Sequence, residues 1–193
     1  IDLGTSALYS SQELSPSYDR PVGAPAYSAP EAFCHLAGHR GLAPYTDKYA
    51  LGCLLFELFN HDLFAKAVRD RNPHYEVFLA AMVIAIGGAT ELESKVGEWK
   101  RAIKKFSAGL APVLIDAPGS SVPPGIAPLL NSVLEALTHV DFQRRPRSLD
   151  WVRQYLWSAI RCLQNEKMYN ERLAQARKKR AERERCIQVK DEA

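Results

Sequence analysis

A mainly α-helical domain is what this chain predicts, and three observations carry the prediction. From Tyr49 to Phe59 the residues are apolar on nearly every face except at Glu57, as in a helix enclosed by protein. Later segments repeat apolar residues at helical spacing, as in Leu92, Val96, Trp99, Ile103 and Phe106. No convincing alternation of apolar and polar residues marks a strand, and the sequence has no internal repeat.

Along the chain, residues 1–30 are rich in Ser, Pro, Gly and Tyr and lack a period, so they predict an extended loop. A loop that long in a compact domain carries function or is disordered. Pro30 and Glu31 suit the first turn of a short helix through about Leu36, which Gly38 and Gly41 end. Thr46 is a good N-cap and Asp47 a favourable first-turn charge for the central helix. Within that helix Gly52 admits a second backbone, and Asn60-His61-Asp62 ends it.

Further helices are predicted over His74–Ile86, Glu91–Phe106 and Ala127–Thr138, the last with Leu130, Val133, Leu134 and Leu137 on one stripe. The apolar run Val77–Ile86 falls short of the roughly 20 residues a bilayer needs, so it predicts a buried helix and no membrane span. Five prolines make Ala111–Pro128 a loop. Ser148 caps a last core helix through Trp151, Val152, Tyr155, Leu156, Ile160 and Leu163, beyond which a charged helical extension frays in solvent.

With 193 residues, 47% hydrophobic and 24% charged, the chain suits one soluble domain with a real core. The net charge of +3 belongs to residues 166–193, which hold nine Lys/Arg against six Asp/Glu. Acidic residues interleave there and no aromatic follows Tyr169, which favours a solvated face over nucleic acid or an acidic membrane surface. The four cysteines have no zinc-like spacing and predict free thiols in a reducing, cytoplasmic setting. The start shows no signal-peptide pattern.

Four separated motifs carry chemistry. Asp2-Leu3-Gly4 comes first, and Gly23, Tyr27, Ala29, Pro30 and Glu31 then satisfy Gly-x-x-x-Tyr-x-Ala-Pro-Glu. Thr46-Asp47-Lys48-Tyr49-Ala50-Leu51-Gly52 follows, and Asp141-Phe142-Gln143-Arg144-Arg145-Pro146 comes last. In that order they resemble the second half of a eukaryotic-type Ser/Thr protein kinase domain, over roughly residues 1–163.

The resemblance implies a kinase-like helical C-lobe without its N-lobe. Residues 1–31 would be the activation segment, 32–163 the lobe with 91–125 as an insertion, and 164–193 a charged helical tail. It implies that Asp2 holds Mg²⁺ against ATP in the intact parent, and that Gly23, Ala24, Pro25 and Tyr27 form a platform for a protein substrate. Ala29, Pro30 and Gly52 would support the lobe, as would Asp47, by accepting hydrogen bonds from the catalytic-loop backbone. Glu31 would pair with Arg145, since a buried carboxylate calls for a partner and the arginine fork suits it best. Tyr27 occupies a place typical of kinases with Ser/Thr acceptors.

The sequence also departs from the family. Ala24 stands where a Thr usually helps seat the acceptor, and 91–125 makes the lobe longer than expected. The Gly-rich loop, the ATP-anchoring Lys with its Glu partner, and the catalytic loop with its Asp and Asn are not among these residues. The chain alone is therefore expected to bind neither ATP nor Mg²⁺ productively, to transfer no phosphate, and to expose an apolar surface. Its expected partners are a protein substrate, the missing N-lobe and catalytic loop, and a docking protein at 91–125 or the basic tail. Two alternatives stand beside the active kinase: a pseudokinase or scaffold built on the same lobe, and an unrelated helical interaction domain.

Overall fold

The computed structural model describes residues 24–36, 42–115, 121–123 and 125–191. Asp2, Gly23, Gly38 and Gly41, and the expectations resting on them, lie outside the described residues. Among the described residues the chain forms six α-helices and three 3₁₀ turns, with no strand. The helices are α1 (Ala43–Asn60), α2 (Phe64–Arg71), α3 (Tyr75–Gly87), α4 (Leu92–Phe106), α5 (Ala127–Leu137) and α6 (Asp150–Asp191). The 3₁₀ turns are Pro25–Tyr27, Pro30–Cys34 and Phe142–Arg144.

Helix α1 is the hub. It packs on α5 along one side and on α2 at its far end, while α3 lies against α4 and the Pro30–Cys34 turn. Phe64 joins the start of α2 to α1, its ring 5.9 Å from that of Tyr49 and 5.4 Å from that of Phe56, both edge-on. The core continues through Met82, Ile86, Trp99 and Leu134, each almost fully buried.

Residues 92–115 are built into this core. The Trp99 indole is fully buried, stacks at 5.3 Å on Phe142, and donates to Asp141 Oδ1 at 3.4 Å. Side chains from the helices pin the proline-rich connection that follows. Asn72 donates to the Ala111 carbonyl and accepts from the Ala111 N–H, and Asn131 accepts from the Ile115 N–H at 2.7 Å. Such bonds satisfy backbone groups that a prolyl loop cannot pair within itself.

Several expectations are corrected. Helix α1 begins at Ala43 with Pro44 in its first turn, so Thr46 is no cap and Asp47 sits past the first turn. The turn at Pro30 ends with His35 in the left-handed region (φ 54°), and α1 ends the same way at His61. His, like Asn and Asp, is among the non-glycine residues found there more often than most. Helix α2 was not anticipated, because its apolar contribution is only Phe64, Val68 and two alanines among charged neighbours.

Neither apolar helix is wrapped on all sides by the described residues. Leu51, Leu54 and Leu58 form an exposed stripe on α1, with Leu58 67% exposed, and Val77 and Ile84 project from α3. Helix α6 runs unbroken through the expected boundary at Leu163. The Ser148 hydroxyl accepts from the Asp150 N–H at its start. No described helix is long and apolar enough to cross a membrane.

Candidate functional site

The Pro25–Tyr27 turn sets up the first contact of the site. Pro25 fixes its own φ, and the Tyr27 and Ser28 N–H groups return to the Ala24 and Pro25 carbonyls at 3.0 and 3.2 Å. This aims the Tyr27 ring back at α1, where its hydroxyl donates to Glu57 Oε2 at 2.8 Å. That hydrogen bond, with some desolvation and the Glu57 charge behind it, pushes the Tyr27 hydroxyl above its ordinary pKa. Glu57 Oε1 and Ser28 Oγ are buried with no partner among the described residues. Ala24 is exposed and presents only a methyl group.

From Ser28 the strip turns inward. Ala29 is extended and fully buried, and Pro30 opens the next 3₁₀ turn, placing Glu31 inside the protein. Arg145 reaches it from the residue after the Phe142–Arg144 turn. Nη1 donates to Oε1 at 2.5 Å and Nη2 to Oε2 at 2.9 Å, with both side chains fully buried. The remaining donors are also used, Nε on the His139 carbonyl at 2.8 Å and Nη1 again on the Tyr45 carbonyl at 2.9 Å.

Two further contacts complete the clamp. The Tyr49 ring lies under the guanidinium at 4.9 Å, and the Thr46 hydroxyl donates to Glu31 Oε1 at 3.2 Å. Thr46, expected to cap α1, instead completes the carboxylate's hydrogen bonding. One arginine thus ties the segment carrying Glu31, α1 and the approach to α6 together.

Lys48 adds a second tie, its ammonium donating to the Arg147 carbonyl at 2.8 Å while lying 4.7 Å over the Tyr45 ring. Asp47, beside it, is exposed and is not drawn into the cluster. Partial shielding from water raises its carboxyl pKa, against a smaller downward pull from Lys48. Gly52 marks the close crossing of α1 and α5. A Cβ there would fall 2.5 Å from Thr138 Cγ2 and 3.0 Å from Leu137 Cβ.

The structure therefore brings Ala24, Pro25, Tyr27, Ala29, Pro30 and Glu31 onto one strip braced by α1 and Arg145. Gly52 faces Leu137 and Thr138 at the end of α5, and Asp47 stands apart. Sequence reasoning missed the Tyr27–Glu57 bond. The signal was present, since a lone carboxylate in an otherwise apolar helix calls for a donor.

Such an arrangement holds residues 24–31 as a shaped strip fixed at both ends. Among the described residues no three His, Cys, Asp or Glu side chains are placed to hold a metal ion. Burial raises the Cys34 and Cys53 thiols to about 12, leaving both protonated and inert at neutral pH. No family model, curated protein or solved structure matches the chain.

Proposed function

We propose that the chain is the helical C-lobe of a Ser/Thr-type protein kinase, with residues 24–31 forming the strip that seats a protein substrate. The observation that carries this reading is the fully buried, two-pronged Glu31–Arg145 pair, joining the Ala-Pro-Glu strip to the Arg-Pro turn across 114 residues. A helical domain matching these motifs by chance has no reason to bury those two charges against each other. The Tyr27–Glu57 bond adds support, because it anchors the strip to the hub helix from its other end.

On this reading the exposed Leu51–Leu54–Leu58 stripe packs against the remainder of the kinase domain, which supplies the nucleotide site and the catalytic base. ATP and Mg²⁺ then belong to that whole assembly. A second reading, a pseudokinase or scaffold on the same lobe, is favoured by Ala24, whose exposed methyl cannot make the hydroxyl contact expected there.

Sequencing the coding region upstream of Ile1 tests both. A His-Arg-Asp-like string about 18–20 residues before Asp2, followed by an Asn, supports the active enzyme, and its replacement supports the pseudokinase. An upstream region with no kinase-like element overturns both.

A further inference from the structure

A cavity of about 580 Å³ opens between α1, α2, α4 and the turn before Arg145, and none of residues 24–31 lines it. Its volume lies inside the range of small-molecule sites, roughly 300–1,000 Å³. Apolar side chains form much of its lining, with Phe64, Val68, Tyr75 and Ile103 buried and Val140 half-buried, and buried Asn72 lies among them. Cations come from two elements far apart in sequence, Lys100 and Lys104 on α4 and Arg144 on the 3₁₀ turn.

None of these three cations takes part in an ion pair among the described residues, and all three are exposed. Lys100 and Lys104 are one helical turn apart, where like charges repel. The last-turn position of Lys104 suits the helix dipole, but that does not account for Lys100 or Arg144 lining the same cavity. Two carboxylates also line the cavity, Asp141, which accepts from the Trp99 indole and the Gln143 N–H, and exposed Glu135, so the three cations outnumber them by one. Burial lowers the pKa of His139, so it adds no charge at neutral pH.

The geometry points to a binding site for a small amphipathic anion, its apolar body against Phe64, Tyr75 and Ile103 and its carboxylate or phosphate among Lys100, Lys104 and Arg144. The site stands independently of the kinase reading, because it uses neither the substrate strip nor the Glu31–Arg145 clamp.

Calorimetric titration of the whole chain with 1-naphthyl phosphate, 1-naphthylacetate, 2-(1-naphthyl)ethanol and inorganic phosphate tests it. At least one naphthyl anion should bind one-to-one and about tenfold or more tighter than both the alcohol and inorganic phosphate. The tighter of the two anions identifies the preferred head group. The triple variant Lys100→Gln/Lys104→Gln/Arg144→Gln alters exposed side chains only, and circular dichroism checks that its fold is retained. It should bring the anions down to the affinity of the alcohol and leave the alcohol unchanged. Absence of saturable anion binding at millimolar concentration, anions binding no tighter than the alcohol, or affinities unaffected by the triple variant would each overturn the site.

Discussion

Arg145 grips Glu31 across 114 residues of chain, at 2.5 and 2.9 Å, with neither side chain reaching solvent. A buried pair of this kind adds little net stability over a well-packed apolar pair, yet breaking it strands a charge. Arg145→Ala should therefore cost about 3–5 kcal/mol, a large share of a domain's stability. Arg145→Lys should recover only part of this, since an ammonium cannot bridge both oxygens and two carbonyls in one plane. Urea denaturation measures both, and a loss under about 1 kcal/mol for the alanine variant would show that the clamp does not brace the fold.

At the α1–α5 crossing the absent side chain is what matters. Gly52→Ala gains about 1 kcal/mol of helix propensity but drives a methyl into Thr138 Cγ2. Thr138 cannot easily turn away, because its hydroxyl donates to the Leu134 carbonyl at 2.7 Å. A net loss of about 1–2 kcal/mol is expected from overpacking. Thr138→Ser keeps that hydroxyl and removes the clashing methyl, so the double variant should recover much of the loss. Strict additivity in a double-mutant cycle would sink this account.

The buried thiols set a limit at alkaline pH. Their folded pKa of about 12 lies above the ordinary 9.0, so the folded state holds its protons where the unfolded chain releases them. Their contribution to stability is complete below pH 9 and is lost as pH rises toward 12. Denaturation midpoints should fall over that window, and less steeply in Cys53→Ala. In the native protein at pH 8, a thiol reagent should modify exposed Cys162 and spare Cys34 and Cys53 until denaturant is added. Rapid native labelling of either buried thiol would contradict their placement.

For catalysis, the purified 193 residues should show no phosphate transfer to Ser/Thr peptides above background, because the proposed kinase reading places the base and the nucleotide-anchoring lysine outside them. If the proposed kinase reading holds, Tyr27→Phe in the whole kinase should weaken peptide use while leaving ATP affinity unchanged, since it frees the strip from Glu57. Turnover by the chain alone, or an ATP defect in Tyr27→Phe, would count against the roles given to these residues.

Local pattern carried much of this architecture, and long-range geometry carried the rest. Helices α4 and α5 follow from their apolar stripes; a buried carboxylate at Glu31 calls for some donor, but Arg145 as that donor comes only from the resemblance of the two motifs to a kinase domain. The start of α1 was misplaced because Pro44 at the helix entrance was outweighed by the capping tendency of Thr46, whose hydroxyl serves Glu31 instead. Helix α2 escaped notice because two large apolar residues make too faint a stripe among four charges. Trp99 gave its helix period but not its place under Phe142, which depends on a residue 43 positions later. The open stripe on α1 marks the reverse limit, since composition reports that a face is apolar and not which chain covers it.

Helix α6 has a mechanical corollary. Its axis continues 28 residues past Leu163, about 42 Å at the α-helical rise, beside a body whose radius of gyration is of order 15 Å. A spoke of that reach raises hydrodynamic drag out of proportion to its mass. It also turns a small tilt at its base, where Val152 and Ala159 seat it, into a wide sweep at its tip.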